Sequence, residues 1–194
     1  MQVDVFDEEI IKAKPFLKWA GGKGQLIDTI EERLPSKIKE NRKIKNYFEP
    51  FVGAGALFFH LASEYKIKRS YISDVNKELI LTYRIIQKYP SELIDNLEIL
   101  QEKFLVKTQD ERKEFYTELR SEYNSDLVDF NYAVLDDESI KRASYTIFFN
   151  KTGFNGLFRV NKKGEFNVPC GKYKNPKICD KENLENVHSL LSKH

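Results

Sequence analysis

The sequence predicts an α/β fold carrying a mainly helical insertion that ends in a β-hairpin, on three observations. Short apolar runs at Tyr47-Phe48-Glu49 and Tyr71-Ile72-Ser73 are each followed by a helical pattern, which is strand, turn, helix twice in succession. From Ser91 to about Lys151 only helical periodicity is found. Beyond it, Leu157 to Val160 and Glu165 to Val168 flank Asn161-Lys162-Lys163-Gly164, a connection with glycine at its end that suits a hairpin.

The elements follow in order. Pro15 to Lys23 reads P-F-L-K-W-A-G-G-K and leads into a helix from about Gln25 to Arg33, with Leu26, Ile27, Ile30 and Leu34 on one face and Pro35 ending it. The first strand runs into Pro50-Phe51-Val52-Gly53-Ala54-Gly55 and then an apolar helix from Ala56 to about Glu64. The second strand ends on Asp74, and Asn76 can cap a helix from Lys77 to Lys88 that Pro90 closes. Consecutive βα units call for parallel strands. In the insertion Leu93, Leu97, Leu100 and Phe104, then Phe115 and Leu119, then Ile140, Tyr145, Ile147 and Phe148 recur at helical spacing. A last helix is expected from about Asp180 to Lys193, burying Leu184, Val187, Leu190 and Leu191. There is no internal repeat and no low-complexity linker.

A length of 194 residues suits one domain, or one domain carrying an insertion. The net charge of +2, with 32% charged and 41% hydrophobic residues, is ordinary for a globular protein and excludes a strongly basic nucleic-acid tail. Any nucleic-acid surface must be local, and the charge is indeed uneven. Glu92 to Glu138 holds 14 acidic and 5 basic residues, whereas Lys151 to Lys177 sets seven basic residues against Glu165 alone. No apolar run is long enough to span a bilayer, and Met1 to Glu9 lacks the basic and apolar pattern of a signal peptide, so the expected location is cytoplasmic. Cys170, Cys179, His60, His188 and His194 have no companions at metal-ligand spacing, and no metal is expected.

Gly53 and Gly55 directly after a strand permit a tight turn and let a ligand approach the backbone at the start of the next helix. Asp74, about twenty residues on at the end of the neighbouring strand, can accept hydrogen bonds from both hydroxyls of a ribose. A purely structural turn remains the alternative. The dinucleotide fingerprint wants a third glycine where Phe58 stands, which counts against a nicotinamide cofactor. Gly21-Gly22-Lys23 is not a nucleotide phosphate loop, because Leu17 replaces its first glycine and Gly24 its magnesium-binding hydroxyl. It remains a candidate anion site.

Five blocks carry a family resemblance: Lys18-Trp19-Ala20-Gly21-Gly22-Lys23, Phe48-Glu49-Pro50-Phe51-Val52-Gly53-Ala54-Gly55, Ser73-Asp74-Val75-Asn76, Gly153-Phe154-Asn155-Gly156-Leu157-Phe158-Arg159 and Gly164-Glu165-Phe166-Asn167-Val168-Pro169. In order and spacing, from about Pro15 to Pro176, the chain resembles the Dam-like (D12 class) DNA adenine N6-methyltransferases. The resemblance implies an S-adenosylmethionine (SAM)-dependent methyltransferase sheet of Rossmann-like type, here incomplete, with a DNA-recognition insertion. It implies residues 1–88 as the N-terminal part of the SAM-binding core, 89–176 as the recognition insertion, and 177–194 as a return towards the core. Trp19 and Lys23 would lie near the methionine end of SAM, Phe51, Gly53 and Gly55 in the cofactor turn, and Asp74 at the ribose.

In double-stranded DNA, Phe154 and Asn155 would sit at the duplex, with Phe154 a wedge beside an unstacked step. Arg159 would read a guanine, Leu157 would touch a thymine methyl, Lys18 would lie near the outer guanine, and Pro169 would border the interface. The implied target is G-A-T-C. A hairpin core is the alternative for Phe154 and Leu157. Lys162, Lys163, Lys172 and Lys174 suit phosphate contacts or a solvated face, and Lys172 stands where relatives often have Arg and cannot make the planar bidentate contact.

The family's catalytic Asp-Pro-Pro-Tyr motif is absent. The six prolines, at 15, 35, 50, 90, 169 and 176, stand alone and none follows an Asp. The resemblance therefore implies the SAM-binding and DNA-recognition portion of an enzyme, as a truncation or one half of a split gene, with a C-terminal fragment as the partner that completes the fold. A DNA-binding module without catalysis is the alternative.

Overall fold

The computed structural model describes residues 11–127 and 129–193; the readings of Met1 to Glu9 and of His194 lie outside the described residues. The chain is a mixed α/β protein. Its strands form two parallel pairs: β1 (Lys43–Ile44) lies beside β3 (Lys66–Ile67), and β2 (Tyr47–Pro50) beside β4 (Ser70–Ser73). Tyr47 aligns with Ser70 and Pro50 with Ser73, so Gly53 and Asp74 emerge at the same end. The helix Ala56–Glu64 carries the chain back between the two strand pairs, as a parallel connection requires. β1 and β3 were not expected, because two residues are too few for alternation to register.

The first helical segment differs from expectation. It is a single 3-10 turn, Lys23–Leu26, followed by α1 (Ile27–Glu32) and α2 (Ser36–Asn41), and neither start has a side-chain cap. Gly24 in the first turn and the missing cap explain why a longer regular helix does not form there. Leu26 is 52% exposed, while Ile30 and Leu34 pack against the core.

The helix Ala56–Glu64 is α3, and α4 (Lys77–Lys88) starts where Asn76 Oδ1 accepts the Leu79 N–H at 3.0 Å. Pro90 does more than close α4. It is the first residue of α5 (Pro90–Leu105), where its missing N–H costs nothing. Thr108 and Glu111 form a capping box on α6 (Gln109–Ser125), and Asp136 caps α7 (Asp137–Thr152). α8 (Lys181–Lys193) buries Leu184, Val187, Leu190 and Leu191. α7 packs on α4 and α5, and α8 lies against the same two helices.

The expected hairpin is reduced to one antiparallel bridge, Val160 with Phe166, closed by a turn in which Gly164 has φ +83°. On either side of that bridge the Asn161 N–H donates to the Glu165 carbonyl and the Asn167 N–H to the Arg159 carbonyl, and the first arm is shortened by the 3-10 turn at Phe154–Gly156 that precedes it. The outward-facing groups of the second arm bond α6: Asn124 takes both backbone groups of Phe166, and Tyr116 and Arg120 donate to the Val168 carbonyl. No helix among the described residues is long and apolar enough to cross a membrane.

Candidate functional site

The turn after β2 is built around three left-handed residues: Phe51 (φ 63°), Gly53 (φ 56°) and Gly55 (φ 80°). At Gly55 a Cβ would stand 2.6 Å from the Tyr83 hydroxyl and 2.7 Å from the Phe59 ring, so only glycine fits. Phe51 is the costly one, an aromatic residue in a glycine conformation with its ring 65% exposed, and such strain collects at ligand sites. Asp74 closes the turn. Its Oδ2 accepts the Gly53 N–H at 3.0 Å and its Oδ1 the Asn76 N–H at 2.9 Å, while Tyr83 donates to the Gly53 carbonyl at 3.1 Å. A carboxylate has further lone pairs on each oxygen, so Asp74 can still receive hydroxyl donors.

Lys23 stands under this turn. Its ammonium donates to the Phe51 carbonyl and lies 3.0 Å from Glu49 Oε1. Glu49 is 4% exposed; its Oε2 accepts from the Tyr47 hydroxyl at 2.6 Å, and its Oε1 accepts no hydrogen bond. Burial, with the bond to Glu49, raises the Tyr47 phenol well above its ordinary pKa and keeps it a donor. The expected anion site is thus a cation beside a buried carboxylate, a pair complementary to a zwitterion. The helix that follows is too short to add a useful dipole.

The basic segment forms the second half of the site. Phe154–Gly156 is a 3-10 turn with Asn155 at φ 55°, and its Phe154 N–H donates to the Pro169 carbonyl at 2.9 Å. Phe154, at 51%, is exposed, as are Asn155, Arg159, Lys162, Lys163, Pro169 and Lys172. Leu157 is half-buried and packs against the core. Arg159 Nε donates to Asn167 Oδ1 at 2.8 Å, which holds the guanidinium without burying it. Lys18 extends over the Tyr173 ring, 5.3 Å from its centroid.

Both halves meet. Trp19 stacks on Phe158 with ring centroids 5.7 Å apart, and the Gly53 Cα faces the Trp19 ring so closely that a Cβ would be 3.1 Å from it. Asn150, 3% exposed on α7, hydrogen-bonds the backbone of Lys18 and the carbonyl of Gly156. Glu49 and Asn150 are absent from the candidates that sequence reasoning identifies. Each had a signal: an acid inside an apolar strand, and an asparagine at the end of the run Ile147-Phe148-Phe149. His60 pairs with Glu31 and His188 with the Ile86 carbonyl, both away from this site, and the two cysteines are free.

The profile of the D12 class N6 adenine-specific DNA methyltransferases matches residues 19–193. Over 181 residues, 93% of this chain and 60% of the relative, it is 50% identical to the type II methyltransferase M.MjaIII of Methanocaldococcus jannaschii. It is 37% identical over 190 residues to the type II methyltransferase M1.LlaDCHI of Lactococcus lactis subsp. cremoris, covering 98% of this chain and 59% of that one. The DNA adenine methylase of Escherichia coli K12 is 36% identical over 165 residues, 85% of this chain and 50% of its own. The chain thus spans between half and three fifths of the length of these relatives.

Proposed function

Because the chain belongs to the D12 class N6 adenine-specific DNA methyltransferase family, we propose that it forms the cofactor-binding and DNA-recognition portion of an enzyme that methylates adenine N6 in duplex DNA, at G-A-T-C, with SAM as donor. The observation that carries this reading is the junction at Trp19, where the glycine turn and the basic loop share one stacked pair. A DNA-binding module alone would need no such turn.

The residues present fit SAM. Gly53 and Gly55 hold the turn in its left-handed shape against Trp19, Tyr83 and Phe59, Asp74 keeps lone pairs for the ribose hydroxyls, and Phe51 is exposed at the rim. The Lys23 ammonium and the Glu49 carboxylate paired with it match the carboxylate and ammonium of a methionine end. When bound, SAM supplies an electrophilic methyl group to the adenine amine. On the DNA side, Arg159 is the base reader, Phe154 the wedge, with Asn155 and Pro169 beside it, and Leu157 meets a thymine methyl. Lys18 approaches the outer guanine, and Lys162, Lys163 and Lys172 hold phosphates. Residues 1–88 and 177–194 form the core part and 89–176 the recognition unit.

The amine of adenine is a poor nucleophile, and this class holds it with an acid and a proline carbonyl after flipping the base. No Asp-Pro dipeptide occurs in these 194 residues, so the acceptors come from a further segment, in the same chain or a separate one.

Arg159→Ala tests the recognition half. It should weaken binding to a G-A-T-C duplex by roughly 1–3 kcal/mol and relax discrimination at one guanine. Lys162→Ala and Lys163→Ala should weaken all duplexes alike and each lower the salt slope by about 1. Equal loss on cognate and scrambled duplexes for Arg159→Ala, in competition binding, would reduce that residue to a phosphate contact.

A further inference from the structure

Asn150 ties the 153–159 loop, assigned above to DNA, to the strip in which Lys18 is assigned to DNA and the next residue, Trp19, to the cofactor; its amide bonds both segments. Its Oδ1 accepts the Lys18 N–H at 2.8 Å, and its Nδ2 donates to the Lys18 carbonyl and to the Gly156 carbonyl, each at 2.8 Å. The residue is 3% exposed, so water cannot replace a bond that breaks. Two further contacts lock the same joint. A Cβ on Gly156 would stand 2.6 Å from the Lys18 side chain, and Trp19 stacks on Phe158. The helix that presents Asn150 is also tied to the cofactor side at another point, since Arg142 of α7 is paired with Glu78 of α4, the helix that begins just after Asp74.

A slide of the Lys18-Trp19 strip relative to the 153–159 loop would leave a buried amide hydrogen without an acceptor. Strip and loop therefore move together or not at all.

We propose that Asn150 is a positioning residue that couples the two sites, so that DNA held by the 153–159 loop alters the Lys18-Trp19 strip and cofactor on the strip tightens the loop on DNA. This rests on the function proposed above. It adds a reciprocal linkage that neither site alone requires.

Trp19 is the chain's one tryptophan, so its emission reports on the strip directly. In the 194-residue chain, a fluorescently labelled duplex containing G-A-T-C should bind by anisotropy and change Trp19 emission. Saturating SAM should tighten duplex binding by roughly fivefold or more. Asn150→Asp keeps the size and the Oδ1 acceptor but sets an oxygen against two carbonyls. It should bind the duplex within about threefold of wild type, lose the Trp19 response, and reduce the SAM effect to less than about twofold. Phe158→Leu, which removes the stack and leaves the amide bridge, should keep the SAM effect.

If the duplex does not bind the wild-type chain, the proposed function fails and this inference with it. If it binds and Asn150→Asp still shows the Trp19 response and the full SAM effect, the function stands and the coupling is refuted. Hydrogen exchange on the wild-type chain decides the matter even if Asn150→Asp does not fold. Protection of the Lys18 amide, which bonds Asn150, should rise when duplex is added, and unchanged protection overturns the proposal.

Discussion

Asp74 holds the turn and keeps capacity for the ligand proposed above. Its two oxygens stitch the glycine turn to the start of α4, and lone pairs remain on each. Asp74→Asn turns one acceptor into a donor opposite a backbone N–H, so it should reduce SAM affinity at least tenfold, through loss of a charged hydrogen bond of roughly 1.5–3 kcal/mol. Titration calorimetry beside a thermal melt checks this; unchanged affinity would remove Asp74 from the cofactor site. The turn glycines and Asp74 are legible in sequence because they act through local backbone geometry. Glu49 and Asn150 carry only weak sequence signals, because the pairing that defines them crosses segments: Glu49 meets Lys23, and Asn150 meets a backbone group 132 positions away.

Among the elements, α7 has the heaviest structural duty. Arg142, 4% exposed, holds both oxygens of Glu78 at 2.9 and 3.0 Å, donates to the Tyr123 carbonyl, and lies over the Tyr123 ring at 4.1 Å and the Phe130 ring at 4.7 Å. Removing one partner leaves the other charge buried without its counter-ion. Glu78→Gln should therefore cost about 3–5 kcal/mol in chemical denaturation, whereas the double change Glu78→Leu with Arg142→Met should cost less than the single one. A double variant less stable than Glu78→Gln would contradict this view of the pair. Helices were the most legible elements, since Asn76 announces the start of α4 and apolar periodicity marks the faces of the others; the starts of α6 and α7, capped by Thr108 and Asp136, were not read from sequence. The hairpin was over-read because its first arm follows a 3-10 turn at Phe154–Gly156, with Asn155 at φ 55°, which shortens the stretch that could pair.

At the scale of the whole molecule the interior is rich in aromatic rings whose phenols are kept protonated. Burial pushes Tyr83, Tyr116 and Tyr123 well above the usual tyrosine pKa, and burial with a bond to Glu78 pushes Tyr132 up to about 12. A folded pKa above the unfolded value of about 10 means stability that is complete below pH ~10 and lost as pH rises, because the unfolded chain then releases protons the native chain retains. Tyr116 and Tyr123, 0% and 3% exposed, should each remove up to about 1.4 kcal/mol per pH unit above that point. Melting followed by circular dichroism at rising pH should show a steep fall beyond pH ~10, and a flat midpoint would refute it. The same scale holds the central proposal, that these residues bind cofactor and DNA and do not supply the acceptors for the amine. Its most direct test is transfer of a labelled methyl group from SAM to a G-A-T-C duplex. The chain is assayed alone, and then fused to the part of the Methanocaldococcus relative that it does not cover. The account predicts label on adenine N6 only with the fusion, and its loss on Asp74→Asn; turnover by the 194-residue chain alone, or none by a folded fusion, would contradict it.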